Sequence, residues 1–346
     1  MSSHALIRAA HLRLLVLAAT LTLISVTAPP AEATPSGHNG RIAFRRFLDE
    51  ERSTGAVFTV RPNGRGERQL TFPDPGFIDR DPDYSPNGRR IVFHRQGELS
   101  DEIWVVNVDG SHLTQLTHPD PGCLPDGGTC DREPAWSPDG RKIVFSRDSG
   151  DIAADEENKG IWIMNADGTG ARQLTQLDQP GQGFDRAPQF SPSGRRLVFE
   201  RHNVRDAEPV DGIALFVLNL RTGREHRITP YGLEAGDTPD WSPDGRRILF
   251  HDNTSADPDV SANLFTVRPN GTGLRQLTFE TGGTVNYLGS SFSPDGRFIT
   301  VGRRPETGGT NADVLVMRRN GTHVRHVTRT VLYDSYPDWG PRVRHH

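Results

Sequence analysis

The sequence predicts an all-β protein, a six-bladed β-propeller of four-stranded antiparallel blades, closed by pairing the C-terminal strand into the N-terminal blade. Three observations lead there. A segment of aromatic-Ser-Pro-x-Gly followed by a basic residue and a short apolar run recurs about every 50 residues, and self-similarity at such a period marks a repeat architecture. The runs between the motifs have strand length and are rich in β-branched and aromatic residues. Glycine (36) and proline (26) are abundant, as a turn-rich all-β chain requires.

Each repeat reads as four strands. The first carries the motif aromatic: Tyr84, Trp136, Phe190, Trp241 and Phe292. Ser-Pro ends that strand, and the following Gly supplies the positive φ of a tight turn. The second strand is Ile91-Val92-Phe93 in one repeat and Ile143-Val144-Phe145 in the next. The third is Ile103-Trp104-Val105-Val106 and its equivalents. A second tight turn follows, at Asp109-Gly110, Asp167-Gly168, Thr222-Gly223, Asn270-Gly271 and Asn320-Gly321. The fourth strand ends in Leu-Thr or a close relative, as in Leu116-Thr117 and Leu174-Thr175. Four strands in a meander, repeated about an axis, make a propeller.

The blade count comes from the ends. Asn39 to Thr71 forms a repeat without its first strand, and Tyr336-Pro337-Asp338-Trp339-Gly340-Pro341 supplies one. One blade (39–71 with 336–341) is therefore shared between the ends, which leaves no free sheet edge. The complete blades span about 82–117, 134–175, 188–229, 239–278 and 290–328. Residues 1–33 read as a secretory signal peptide: Arg8, His11 and Arg13 precede an uncharged apolar run over 14–28, and Ala31-Glu32-Ala33 fits the cleavage site. Residues 34–38 are a linker and 342–346 a tail. Export would place the chain in the periplasm, in the cell envelope or outside the cell, with no stable membrane insertion after cleavage. The two cysteines, Cys123 and Cys130, are expected to form a disulfide in that oxidising setting.

These repeats resemble the WD40-like repeats of TolB-type propellers, which share the aromatic-Ser-Pro-Asp-Gly core. The resemblance covers residues 39–341. In that family the propeller follows an N-terminal α/β domain and works in the periplasm, docking a peptidoglycan-associated lipoprotein. Here the signal peptide runs almost directly into Asn39, so the resemblance is to the propeller module and not to TolB itself.

By strand alternation the two short turns of each blade lie on one face and the long, variable connections on the other. The long loops are rich in Asp and Glu, as at Asp148, Asp151, Asp155, Glu156 and Glu157. The short turns carry Arg, as at Arg89, Arg141, Arg195, Arg246 and Arg297. Variable loops on a rigid scaffold are where binding usually resides. Just before the Pro of the first strand stand Asp79-Arg80, Asp131-Arg132 and Asp185-Arg186; Asp334-Ser335 takes the same place at the seam, while Gly236-Asp237 and Tyr287-Leu288 depart from it. These residues are expected to ring the channel mouth. There they either grip a ligand or tie blade to blade through Asp–Arg pairs.

The net charge of −4 argues against a general nucleic-acid binder. There is no Gly-x-Ser-x-Gly elbow, P-loop, dinucleotide fingerprint or His-Glu-x-x-His motif, so no catalytic residue and no cofactor is assigned. The sequence reading is a monomeric, non-catalytic binding propeller for a protein segment or cell-envelope component. Its alternative is a metal-dependent lyase or hydrolase acting on an envelope carbohydrate or small ester. The equivalent residues His94 and His251, which follow the second strands, are the basis of that alternative.

Overall fold

The computed structural model describes residues 37–98, 100–118, 129–149, 159–176, 183–203, 212–252, 261–281, 285–305 and 311–343. Strands β1 (Asn39–Phe47), β2 (Gly55–Val60) and β3 (Arg68–Gln69) open the chain. Unit 1 holds β4 (Ile78–Tyr84), β5 (Arg90–Gln96), β6 (Asp101–Asn107) and β7 (Thr114–Gln115). Unit 2 holds β8 (Thr129–Trp136), β9 (Lys142–Ser149), β10 (Gly160–Asn165) and β11 (Arg172–Gln173). Unit 3 holds β12 (Gly183–Phe190), β13 (Arg196–Asn203), β14 (Gly212–Asn219) and β15 (Glu225–Arg227). Unit 4 holds β16 (Ala235–Trp241), β17 (Ile248–Asp252), β18 (Leu264–Val267) and β19 (Arg275–Gln276). Unit 5 holds β20 (Val285–Phe292), β21 (Phe298–Pro305), β22 (Asp313–Arg318) and β23 (Arg325–His326). The last strand, β24 (Asp334–Pro341), pairs antiparallel with β1, so β24, β1, β2 and β3 form a seam unit of the same pattern.

Units 3, 4 and 5 are separate four-stranded antiparallel sheets. The seam unit and units 1 and 2 are joined into one sheet only by single parallel contacts, Gly55 with Ile78 and Asp101 with Cys130. Apolar clusters lie between consecutive units rather than within them. Val92, Ile103 and Val105 of unit 1 pack on Trp136, Ile143 and Phe145 of unit 2. Val314, Val316 and Val327 of unit 5 pack on Ile42, Phe44 and Trp339 of the seam unit. The motif aromatics are therefore core residues, with Trp136 and Trp241 fully buried. Cys130, at the start of β8, is buried and disulfide-bonded; Cys123 lies outside the described residues.

The motif residues have local reasons. Ser137 Oγ accepts from the Lys142 amide (2.8 Å) and donates to Asp139 (2.7 Å), while the Gly140 amide closes the turn on the Ser137 carbonyl (2.9 Å). Gly140 has φ +67°, a conformation that favours glycine. The Thr of each Leu-Thr is a cross-strand acceptor. Thr71, Thr117, Thr175, Thr229, Thr278 and Thr328 each take the amide of a third-strand residue at 2.8 to 2.9 Å. These hydroxyls satisfy buried backbone donors that the very short fourth strands leave over.

The first strands begin earlier than the sequence suggests. Ile78–Arg80 already belongs to β4, paired with Gln96, Arg95 and His94 ahead of a register shift. The shift is a bulge in the left-handed region. Asp81, Glu133, Ala187, Asp237, Thr238 and Tyr336 all have φ between 48° and 59°, and Gly289 takes the place in unit 5 with φ 74°. A bulge bends the strand and re-aims its side chains without ending the pairing.

Thr175→Val is expected to leave the buried Ile161 amide without its acceptor and to cost about 1–3 kcal/mol. Thr175→Ser should recover most of it. Urea unfolding midpoints of the two variants check this.

Candidate functional site

The six first strands converge. A narrow channel of about 70 Å³ is lined by residues of all six, including Asp83, Ala135, Gln189, Asp240, Ser291 and Asp338. Above the bulges it widens into a mouth of about 490 Å³.

The sequence-predicted residues divide between the mouth and the layer beneath it. Arg80, Arg132, Arg186 and Asp237 line the mouth. Asp79, Asp131, Asp185 and Asp334 are buried, and each is gripped by two nitrogens of an arginine on the neighbouring strand of its own unit. Arg95 holds Asp79 at 2.6 and 2.9 Å, and Arg147 holds Asp131 at 2.6 and 2.7 Å. Arg201 holds Asp185 at 2.7 and 2.8 Å, and Arg46 holds Asp334 at 2.6 and 2.7 Å. Each of these guanidiniums also lies over two aromatic rings; Arg147 sits 5.4 Å from the Phe145 ring and 4.5 Å from Trp162. Burial pushes the Asp79 and Asp334 carboxyls up, against the pull of their arginines. The aspartates thus pair inside a unit rather than between units. The reason is the antiparallel register, which sets Asp79 opposite Arg95 and Asp131 opposite Arg147.

The arginines of the same dipeptides do reach between units. Arg132 bonds Asp101 of unit 1, and Arg132 and Arg186 converge on Asp148 at 3.3 and 2.7 Å. Arg80 instead donates to the neutral Gln96 at 2.8 Å. Asp237 faces His251 at 3.0 Å, and Asp81 faces His94 at 3.2 Å. Burial lowers the His251 pKa, but the bond to Asp237 outweighs it and the net shift is upward. Glu200 pairs with His202 at 3.2 Å and is raised by burial.

Sequence reasoning missed several members of the mouth: Glu200, His202 and Tyr336. The residue before the first-strand proline was the available signal. Asp81, Glu133, Ala187, Thr238 and Tyr336 all hold that place and all carry the left-handed bulge. The run Asp79-x-Asp81-x-Asp83 does not converge, since the three carboxylates turn to Arg95, to His94 and to the Trp136 amide. Among the described residues no group of three or more His, Cys, Asp or Glu side chains is placed to hold a metal ion.

Inside the channel, carboxylates reach into the next unit. Asp83 accepts the Trp136 amide at 2.7 Å, Asp240 the Phe292 amide at 2.6 Å and Asp338 the Tyr84 amide at 2.8 Å. Burial pushes the Asp338 carboxyl up to about 6. Burial and the neighbouring Asp338 raise Asp83 as well.

With that geometry in place the chain can be set beside known proteins. Residues 179–345 match the TolB beta propeller domain. The chain carries a TolB-like β-propeller. The protein TolB homolog of Chlorobium luteolum is 27% identical over 222 residues, 54% of this chain and 46% of the relative. The uncharacterized peptidase YuxL of Bacillus subtilis is 25% identical over 218 residues, 52% of this chain and 30% of the relative. The chain spans less than half the length of the curated relatives it matches. Among solved structures, TolB from Acinetobacter baumannii superposes with TM-score 0.66 at 17% identity, covering 88% of this chain and 67% of that one. An oligogalacturonate lyase in complex with manganese superposes with TM-score 0.51 at 15% identity, covering 84% and 74%. At such identities the likeness concerns the propeller fold alone. Among the described residues of this propeller, no helix is long and apolar enough to cross a membrane.

Two outcomes follow from the buried charges. Arg147→Ala strands the Asp131 carboxylate in the interior and is expected to cost about 3–5 kcal/mol, whereas Asp131→Asn leaves a partly solvated guanidinium and should cost about half as much. Denaturant midpoints decide between them. For Asp338, the folded pKa lies above the unfolded one. The folded state therefore holds the proton more tightly, and stability is lost as pH rises from about 4 toward 6. Asp338→Asn should remove that loss and gain on the parent by an order of 2 kcal/mol between pH 4.5 and 7.5, read from thermal midpoints.

Proposed function

We propose that the chain is an exported, non-catalytic binding module. Its ring has six blades, closed by β24 on β1, and its channel mouth and flanking loops hold a charged segment of a partner protein or a cell-envelope component. The ring is supported by apolar clusters that join each unit to the next and unit 5 to the seam unit. Export is supported by the composition of residues 1–33.

One observation carries the binding role. Among the described residues the mouth contains buried polar atoms without a partner: Asp81 Oδ1, Thr238 Oγ1 and Arg186 Nε. Buried polar atoms are nearly always satisfied, and those that are not call for a ligand or water. An acceptor, a hydroxyl and a donor around one cavity suit an occupant that both gives and takes hydrogen bonds, as a peptide segment does. The strained bulges that carry Asp81 and Thr238 belong to the same rim, and such strain gathers at functional sites. Chemistry at the mouth has less support. His94, His202 and His251 each face a carboxylate of their own, and Thr238 Oγ1 is bonded to no histidine.

Selection of a displayed random heptapeptide library on the protein tests this reading. Enrichment of sequences bearing charged side chains is expected, and it should fall at least tenfold on the combined variant Arg80→Ala, Arg186→Ala and Asp237→Asn. No enrichment over a blank surface, or equal enrichment on both proteins, would refute it. Manganese retained at one equivalent in equilibrium dialysis, and lost in His94→Ala, would favour the enzymatic reading instead.

A further inference from the structure

The face opposite the mouth carries a second pattern. In four units the two short turns are tied to each other there, through the amides of Val108, Ala166, Leu220 and Arg319 donating to the carbonyls of Arg89, Arg141, Arg195 and Arg297. Each first-to-second-strand turn of units 1 to 5 delivers one exposed arginine: Arg89, Arg141, Arg195, Arg246 and Arg297. Among the described residues none of the five belongs to an ion pair. The ion pairs of the described residues centre instead on the second-strand arginines Arg46, Arg95, Arg147 and Arg201, and on the channel mouth. The carboxylates beside these turn arginines are engaged by the turns. Asp139, Asp244 and Asp295 each accept from a Ser hydroxyl and a backbone amide. Asn87 and Ser193 stand at that position in units 1 and 3, so two of the five turns have no carboxylate there.

Exposed aliphatic side chains share this face. Leu113, Leu274 and Val324 are 41%, 44% and 52% exposed. They occupy one structural position, on the return leg of the second short turn, immediately before Thr114, Arg275 and Arg325. Those three residues hold the same register against the third strand, opposite Val105, Thr266 and Val316. The three aliphatics therefore lie at one level, in units 1, 4 and 5, next to the arginine-bearing turns.

We propose that this short-turn face adsorbs to an anionic lipid surface. A ring of turns at one strand level is close to planar, so it can set several guanidiniums against a plane of phosphate headgroups at once. Arginine suits that contact because its fork matches phosphate oxygens. The aliphatics decide between a lipid surface and a soluble polyanion. They gain nothing from a hydrated polymer, but they lose water on entering the headgroup–acyl boundary, where binding grows with both buried apolar area and attraction to anionic lipid. The adsorbed protein presents its channel mouth away from the membrane. The proposal stands apart from the binding role of the mouth and does not depend on it.

Co-sedimentation with vesicles of phosphatidylcholine containing 30 mol% phosphatidylglycerol tests it, with pure phosphatidylcholine vesicles alongside. Because the apolar segment within residues 1–33 is common to all samples, the comparison is between variants of the full chain. Binding to the anionic vesicles is expected to be at least tenfold tighter than to the neutral ones and to weaken as salt is raised. At about a factor of five per arginine, the combined variant Arg141→Gln, Arg195→Gln and Arg246→Gln should bind about 100-fold more weakly. Leu113→Ser with Leu274→Ser should lower the binding that survives at high salt. The mouth variants Arg80→Ala and Asp237→Asn should change neither. All the short-turn substitutions are at exposed positions, and an unchanged thermal midpoint verifies that each protein is folded. Equal partitioning of parent and arginine variant would overturn the proposal. So would arginine-dependent binding that polyphosphate competes away completely and the leucine variant leaves untouched, since a soluble polyanion would then be the ligand.

Discussion

The fold rests on a buried aspartate held by two nitrogens of an arginine that is itself packed on two aromatic rings. It occurs in the seam unit and in units 1, 2 and 3, through Asp334, Asp79, Asp131 and Asp185. Its position explains its weight. The aspartate sits on the first strand just before the left-handed bulge, where ladder hydrogen bonds are interrupted and the register could slip. A two-point charged contact to the directly opposed residue fixes that register. Asp79 and Asp334 also take a hydrogen bond from a threonine of the preceding unit, Thr71 and Thr328, so the same carboxylate ties unit to unit. Where the pair is missing, other polar contacts hold the place. Ala235 stands opposite Asp252 in unit 4, and Tyr287 opposite Arg303 in unit 5. There Asn263 Oδ1 accepts the Glu280 amide at 2.7 Å, and Glu280 takes Tyr287 OH at 3.2 Å and Arg303 at 3.4 Å.

Everything at the mouth is aimed from that anchor. With the aspartate fixed, the next residue, Arg80, Arg132 or Arg186, points into the mouth. The bulge residue then turns its side chain to the rim, and the residue after the proline enters the channel. The strained backbone is held from both sides, by the anchor above and by the channel below. Asp83, Asp240 and Asp338 each cap an amide of the next unit. Burial, and after it the neighbouring carboxylates, raise the Asp83 pKa, and burial raises that of Asp338, which is the cost of using them as caps. In unit 3 the equivalent residue is neutral and turns back on its own strand, where Gln189 Oε1 accepts the Phe190 amide at 3.0 Å.

How far this was legible in the sequence differs by level. The repeat, the strand runs and the two turns follow from periodicity and turn chemistry, and the strands lie where the apolar runs are. The Leu-Thr signature marks a strand end in the sequence, but only three dimensions show its hydroxyl accepting a third-strand amide. The Asp-Arg dipeptides were visible, yet their division of labour was not. Two adjacent residues point to opposite sides of a strand, and which side faces the mouth depends on a register that the bulge at Asp81 resets. Glu200 gave no sequence signal of its own, since it reads as the continuation of a second strand, whereas Tyr336 stands at the pre-proline place that the repeat marks.

The two ends of the propeller use arginine in opposed ways. Arg132 and Arg186 at the mouth are tied to Asp101 and Asp148, so their positions are set and their charge is largely matched. Such groups give geometry and selectivity. Among the described residues the turn arginines on the far face form no such ion pair, although Arg141 and Arg246 act on Asp139 and Asp244 beside them, so much of their field extends into solvent over roughly a Debye length, about 8–10 Å at ordinary salt. Exposed groups of that kind give attraction with little selectivity. Among the described residues the mouth end also carries acid, at Asp81, Glu133, Glu200 and Asp237. An arginine-rich end of that kind orients a molecule in the field of a charged surface before any contact forms.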